Sequence, residues 1–318
     1  QDCVIFDELH KMNEWKRWLK GIYDTEGNRP RLLVTGSAMM ETHRKMGDSM
    51  AGRYFPYRLY PLDLKELVQI QNADIDESFA TLWQCSGFPE PFLRGSEQFY
   101  RRWRRSHLDI ILRQDLLDLF DVRDVKSIET LVTMLKHRVG SSVSYASLAR
   151  DLQKDAGTVK RWLTMLENLY IIYKVTPYSN NIARSLLKEP KYYFYDHTNA
   201  ESPGARLENI VANALLKELH YLEDTQGTQT QLHYLRTKEG KEVDFFIMLD
   251  GKPLMMIEVK NSDSHLSKHF AHFKRYFENI NGIQLVKNLG REKTDPNGLE
   301  VRKLAPWLAN LSLSRPDR

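Results

Sequence analysis

Cysteine is nearly absent from this chain, with two residues in 318, Cys3 and Cys85. So few thiols exclude a disulfide framework and a thiolate metal site, and they make a reducing cytoplasm the expected location. Long apolar runs are lacking as well. None approaches the roughly 20 residues that span a bilayer, and no signal peptide is visible, so no membrane partner is expected. Internal repeats and low-complexity tracts are also missing. The most informative absence is a glycine-rich phosphate-binding loop, which occurs nowhere in the sequence.

What is present is the composition of a folded, soluble protein: 42% hydrophobic residues, 28% charged residues and a net charge of +4. The pI near 8.8 is mildly basic and compatible with nucleic acid. A length of 318 residues exceeds one ordinary core and predicts two or three domains. Residue 1 is Gln rather than Met, which reads as a fragment or a processed chain.

Residues 1–72 alternate strand and helix. Residues 4–6 form a short buried strand. Residues 13–23 form a helix with Trp15, Trp18, Leu19 and Ile22 on one stripe, and 31–35 form a second strand. This is β-α-β logic and implies a parallel sheet. Two strands cannot cover both faces of such a sheet, so part of its core is expected from outside this sequence. Residues 76–137 have helical period. A short helix capped by Ser144, a second helix over 156–169 and strands over 170–175 and 191–195 follow, the order of a winged helix-turn-helix. Residues 177–190 are then its wing or a linker. Beyond 207 come a helix to 222, a strand over 233–236, and a hairpin of 242–249 with 254–259. That hairpin turns at Asp250-Gly251 through a loop slightly longer than the tightest type. A helix over 265–276 and a strand over 282–287 complete the pattern, and the residues after Pro306 are expected to fray.

Two carboxylates, Asp7 and Glu8, end the first strand. A nucleoside triphosphatase needs one carboxylate to hold Mg²⁺ and another to polarise the attacking water. Thr35 or Ser37, at the end of the neighbouring strand, is placed to sense a terminal phosphate, and Arg53 suits an arginine finger across a subunit boundary. The competing reading is that Asp7-Glu8 only caps the following helix. The ordered series Asp7-Glu8-Leu9-His10-Lys11, Val34-Thr35-Gly36-Ser37, Ala51-Gly52-Arg53 and Tyr60-Pro61-Leu62-Asp63 decides between them. It continues through Gly87-Phe88-Pro89-Glu90, Pro190-Lys191-Tyr192, Leu207-Glu208-Asn209 and Glu242-Val243-Asp244-Phe245. It resembles a family of prokaryotic AAA-type ATPases that carry an uncharacterised C-terminal domain with a nuclease-like part. The resemblance implies that Asp7 and Glu8 are the Walker B pair, Ser37 lies near the sensor position and Arg53 is the finger. ATP binding and self-association are implied for the complete parent protein, because the phosphate loop is absent here.

In the middle, Lys154, Thr158, Lys160 and Arg161 are the candidate nucleic-acid contacts of a recognition helix. The rival is a solvated helix face. The cluster Arg101-Arg102-Trp103-Arg104-Arg105 offers the same choice.

Near the end, Glu258 and Lys260 are two apart on a strand and share a face. Asp244 lies on the partner strand. A hairpin can bring Asp244 and Glu258 together to hold Mg²⁺, with Lys260 orienting water or stabilising phosphorane charge and Glu208 as support. His265, His269 and His272 follow at helical spacing as a further phosphate- or metal-contacting possibility. Asp, then Glu-x-Lys, with an upstream helical Glu, resembles the PD-(D/E)xK nuclease superfamily.

The expected fold class is therefore α/β multidomain. It comprises a partial parallel-sheet AAA ATPase domain (1–72), a helical and winged-helix middle (73–200), a restriction-endonuclease-like α/β domain (201–306) and a tail (307–318). The expected function is that of an AAA-type fragment acting on nucleic acid with a Mg-dependent nuclease-like domain. The alternatives are a non-cleaving binding module for nucleic acid or protein, and an inactive gene fragment.

Overall fold

The computed structural model describes residues 3–27, 29–36, 52–116, 124–179, 189–277 and 280–313. Strand β1 (Cys3–Phe6) runs parallel to β2 (Arg31–Val34), Phe6 opposite Val34, with α1 (Trp15–Glu26) as the crossover. Of the expected apolar stripe on α1 only Leu19 is buried. Trp18 meets Phe6 edge-on at 5.1 Å between ring centroids, and Ile5 and Leu33 lie exposed on the two strands. Among the described residues the two-stranded sheet therefore has little apolar cover.

A helical layer follows: α2 (Leu64–Gln71), α3 (Ile75–Cys85), α4 (Pro89–Arg94), α5 (Glu97–Ile110) and α6 (Val125–Lys136). Four of these begin on a short polar side chain that accepts from the first-turn backbone. Asp63 caps α2, Asp74 caps α3, Ser96 caps α5 and Asp124 caps α6. Ser144 caps α7 (Tyr145–Leu152) and Asp155 caps α8 (Ala156–Asn168).

Strands β3 (Ile172–Pro177) and β4 (Lys191–Phe194) then pair antiparallel, Ile172 opposite Phe194. Two short helices and a strand pair appear in the expected order, but the pair is not a free-standing wing. Thr176 and Pro177 of β3 lie parallel to His233 and Tyr234 of β5 (Thr230–Arg236), and every residue of β4 is buried. Residues 180–188 of the expected wing lie outside the described residues.

The pairing extends through β6 (Glu242–Leu249), β7 (Lys252–Lys260), β8 (Asn281–Val286), β9 (Lys293–Thr294) and β10 (Leu299–Lys303). The result is one mixed eight-stranded sheet in the order β4-β3-β5-β6-β7-β8-β10-β9. Helix α9 (Pro203–Gln226) lies against β4, β5 and β7. It starts with Ser202 as cap and Pro203 in the first turn, and ends at Gly227 with φ 70°. The shorter α10 (Lys268–Lys274) sets Phe270 and Phe273 in a second cluster with Phe246 and Met256.

A single cluster of buried apolar side chains runs from Leu64 to Leu313. Its last members correct the expected frayed tail. Leu308 of α11 (Leu304–Ala309), Leu311 and Leu313 are all buried, and α11 packs on α2 and α3. Two other boundaries also change. The β6–β7 hairpin has the tightest loop, because Leu249 pairs Lys252 and both Asp250 and Gly251 have positive φ. Asp250 further ties the turn to Gln229 by accepting its N–H at 3.0 Å. Helix α10 is seven residues long, since the preceding loop is pinned by Gln284, whose amide bonds Asp263, His265 and Ser267. His265 thus stands before the helix, so it does not share a helix face with His269 and His272.

Candidate active site

Helix α9 is the element that places Glu208. Its neighbour Asn209 is fully buried and behaves as a strand partner for β4. The side chain accepts from Phe194 N–H at 2.9 Å and donates to Phe194 C=O at 2.8 Å. Asn213, one turn on, donates to Tyr195 C=O at 2.9 Å and accepts from Tyr173 OH at 2.7 Å. These bonds satisfy backbone groups that would otherwise be buried unpaired, and they fix the helix against the strand in one register.

Glu208 then reaches the two odd-numbered residues of β4. Tyr193 OH donates to Glu208 Oε1 at 2.6 Å, and the Lys191 ammonium lies 3.2 Å from the same oxygen. Lys191 is 1% exposed. Its Nζ also lies 2.7 Å from Glu242 Oε1 and 3.9 Å from Asp244 Oδ1, and stands over the Tyr234 ring. Burial alone would depress the Lys191 ammonium, but the charges of Glu208, Asp244 and Glu242 hold it above the ordinary lysine range. Glu242 shares its other oxygen with Arg236 at 3.2 Å. Gly140 passes directly behind Glu208, with φ +74°. A Cβ there would fall 2.7 Å from Glu208 Oε2, so the close approach requires glycine.

A β-bulge positions Asp244. His233 of β5 pairs Phe246 and Leu235 pairs Val243, so Asp244 and Phe245 together stand opposite the single residue Tyr234. Bulges re-aim side chains at such places. Here the bulge sends Asp244 toward Lys191, while its Oδ2 accepts from Val259 N–H of β7 at 2.8 Å. Across that bond Lys260 donates to Glu258 Oε1 at 2.7 Å. Glu258 is 4% exposed and its Oε2 has no hydrogen-bond partner.

The electrostatics follow from this crowding. Glu208 is pushed up to about 7, first by burial and then by the Asp244 charge, against the pull of Lys191 and Tyr193. Glu258 is likewise pushed up to about 7 by burial and Asp244, against Lys260. Burial also raises Asp244. Lys260 is raised because the pairing with Glu258 outweighs its desolvation. Asp244 is therefore the common neighbour of two acid–lysine pairs, Glu208–Lys191 and Glu258–Lys260.

Among the described residues no group of three or more His, Cys, Asp or Glu side chains is arranged to hold a metal ion. Mg²⁺ commonly takes only one or two carboxylates, with water and substrate oxygens completing its shell. Asp244 and the unpartnered Glu258 Oε2 suit that set. The histidines do not extend it. His265 bonds Asp263, His269 bonds the backbone of Glu242, and His272 bonds Lys241.

Sequence reasoning singles out Glu208, Asp244, Glu258 and Lys260, and the structure brings Asp244, near the start of β6, together with Glu258 and Lys260, near the end of β7, with Glu208 joined to Asp244 through Lys191. It does not single out Lys191, Tyr193 or Glu242. One signal was available: Lys191 opens a run of four consecutive aromatic residues, an unlikely place for a solvated ammonium.

The other candidates lie elsewhere. Asp7, exposed at the end of β1, accepts from the Thr35 hydroxyl. Glu8 pairs with Lys11 at 3.2 Å, and Arg53 with Asp24 at 3.1 Å. Ser37 lies outside the described residues. At α8, Thr158 N–H closes the Asp155 cap and its hydroxyl accepts from Arg161 at 2.9 Å. Lys160 is exposed, and Lys154 is drawn to Asp124 at 2.7 Å. In the arginine cluster Trp103 is half-buried, stacking on His107 at 4.3 Å and donating to Glu90.

Fold and site together define a mixed α/β protein with an acid–lysine cluster at the centre of one large sheet. Comparisons with known proteins divide the same chain in three. Residues 1–68 match an AAA domain, residues 76–200 a domain of unknown function (DUF8612), and residues 203–304 another (DUF4143). An uncharacterized protein of Mycobacterium tuberculosis is 26% identical over 266 residues, covering 79% of this chain and 57% of its own length. One from Haemophilus influenzae is 22% identical over 328 residues, covering 96% of this chain and 76% of its own length. One from Methanocaldococcus jannaschii is 20% identical over 300 residues, covering 87% and 65%. The chain spans little more than half the length of the mycobacterial relative, at 57%. No solved structure matches. Among the described residues no helix is long and apolar enough to cross a membrane.

Proposed function

We propose that this chain is the greater part of an AAA-type ATPase that acts on nucleic acid, and that residues 201–306 form a PD-(D/E)xK-like, Mg²⁺-dependent phosphodiesterase. The observation that carries the reading is the buried, unpartnered Glu258 Oε2 between Asp244 and Lys260. A carboxylate oxygen that has lost its water and found no donor is costly unless a cation meets it.

Asp244 and Glu258 would hold the ion, and Lys191 with Tyr193 keeps Glu208 in place behind them. Bound Mg²⁺ would supply Lewis-acid polarisation of a phosphoryl oxygen and a more acidic water. Lys260 carries its ammonium at the mouth of the site, 37% exposed, where it can meet excess negative charge on a phosphorane. Asp244 is held at Oδ2 by the Val259 amide, so its Oδ1, 3.9 Å from Lys191 Nζ, is the oxygen that would lie between that ammonium and the ion. The pair α7–α8 with β3 and β4 is read as a winged-helix relative. Lys160 and Arg161 are its exposed contacts for a phosphate backbone, with Thr158 supporting Arg161 and Lys154 reaching phosphate if it leaves Asp124. ATP hydrolysis at Asp7 and Glu8, with Arg53 as finger, belongs to the complete parent protein and its self-association.

A non-cleaving platform is the second reading. It is favoured by Lys191, an internal cation that already neutralises part of the cluster. The deciding experiment incubates the chain with single- and double-stranded DNA and RNA in Mg²⁺ or Mn²⁺, beside Asp244→Ala and Lys260→Ala. Cleavage that both substitutions lower by about 100-fold or more is the expected result. No cleavage, or equal cleavage by the variants, would remove the nuclease reading and leave the platform.

A further inference from the structure

The acidic cluster has two compartments, and they differ in what fills them. On the α9 side, Glu208, Glu242 and Asp244 all direct an oxygen at one point, and Lys191 Nζ occupies it at 3.2, 2.7 and 3.9 Å. On the β7 side, Asp244 Oδ2 accepts from the Val259 amide, and the buried Glu258 Oε2 has no hydrogen-bond partner among the described residues. The first compartment resembles a metal site in which an ammonium replaces the metal. The second is open.

Lys191 is held there from every direction. It belongs to β4, which is buried along its whole length, and β4 is locked to α9 by Asn209. The ammonium rests on the Tyr234 ring, whose hydroxyl donates to Glu189 C=O at 2.6 Å. The neighbouring chain closes over it, since Val143 N–H donates to Pro190 C=O and Ser142 bridges to Lys191. A lysine 1% exposed cannot withdraw to solvent without opening the sheet edge.

We infer that Lys191 is the built-in cation of the Glu208–Glu242–Asp244 compartment, so that the cluster takes a single divalent ion, at Asp244 and Glu258. The inference rests on the metal reading given above and deepens it. Sites that hold two ions about 3.5–4 Å apart need two sets of free carboxylate oxygens. Here one set is committed to an amine of fixed position. Glu208 is accordingly a positioning residue that anchors Lys191, and not a ligand.

The test counts ions and needs no substrate. Mn²⁺ is titrated into the whole chain by calorimetry and by electron paramagnetic resonance of free Mn²⁺, with thermal unfolding in parallel. The parent chain should bind one Mn²⁺, and Lys191→Met should bind two. In chelator the variant should melt several degrees below the parent, on the scale of about 2–4 °C per kcal/mol, and Mn²⁺ should restore it. If Lys191→Met does not fold in chelator, Mn²⁺ should refold it. Lys191→Met with Glu208→Gln removes one charge of each sign, so it should fold without metal and bind one ion.

Equal stoichiometry for parent and Lys191→Met, two ions on the parent, or failure of Mn²⁺ to restore the variant overturns the inference. The metal reading fails in a different way. In that case the parent binds no Mn²⁺, or binds it no more weakly after Asp244→Ala. A parent that binds none beside a Lys191→Met chain that binds one would keep Lys191 as the internal cation and discard the nuclease.

Discussion

The chain carries two sets of acids at strand ends, and their surroundings differ in almost every respect. Asp7 and Glu8 end a strand of a two-stranded sheet whose own apolar residues, Ile5 and Leu33, are exposed. Among the described residues Asp7 accepts from the Thr35 hydroxyl and Glu8 pairs with Lys11, both partners near the surface. Asp244, near the start of β6, and Glu258, near the end of β7, lie in the middle of an eight-stranded sheet, with Lys191 and Lys260 drawn in beside them. The same residue types therefore have different consequences. At the front, the acids stand on a small, largely exposed strand pair. At the back, each acid is part of the reason a neighbouring element lies where it does.

This contrast can be broken by measurement. The largest effect is expected at Asn209, the residue that joins α9 to β4. Asn209→Leu leaves the buried N–H and C=O of Phe194 unpaired, at about 1–3 kcal/mol each. The urea midpoint should fall by an amount worth about 3 kcal/mol. A loss below about 1 kcal/mol would mean that α9 is positioned by apolar packing alone.

An intermediate effect is expected from pH. Glu208 and Glu258 are pushed up to about 7 in the fold from an ordinary 4.5. Between those values the folded chain holds more protons than the unfolded one, so stability falls as pH rises through 7. Glu258→Gln removes one of the two groups. Relative to the parent, the variant should gain roughly 1–3 kcal/mol at pH 8, and the gain should shrink toward nothing below about pH 4. Saturating Mg²⁺ should shrink the gain at pH 8. The comparison is made by difference because His220, pushed down to about 4 mainly by burial and Arg58, destabilises the fold as pH falls below its ordinary 6.5. A variant-minus-parent difference that does not change with pH would show that Glu258 is not under the strain described.

The smallest effect is expected at the front. Asp7→Ala should change stability by less than about 0.5 kcal/mol, as surface substitutions do. A larger loss in thermal unfolding would show that the two-stranded unit depends on the Asp7–Thr35 bond, and the contrast between the two acid sets would be weaker than drawn.

Much of this was legible from residue pattern. Helix and strand order follows from the cap at Ser144 and from the switch between periods of 3.6 and 2. Asp244, Glu258 and Lys260 stand out because charges interrupt apolar strands. What stayed hidden depends on sequence-distant neighbours. Nothing local says that β3 pairs β5, 57 residues away, and that pairing is what carries the expected strand pair into a larger sheet. The Asp244 bulge is likewise invisible, since it exists only relative to Tyr234 on the partner strand. Lys191 needed both facts, because its surroundings come from α9, β5 and β6 at once. The hairpin turn was misjudged for a simpler reason. Asp250 accepts a left-handed backbone there, which shortens the loop to two residues.

The pairing of β3 with β5 also has a consequence for descent. The two segments of unknown function meet between residues 200 and 203, yet the ladder crosses that line, and Lys191 on one side neutralises acids on the other. A gene carrying only the later segment would inherit an orphaned sheet edge and an acid cluster without its internal cation. One carrying only the earlier segment would inherit a lysine with no reason to be buried. The two stretches therefore share one sheet and one acid cluster, and each completes the surroundings of the other.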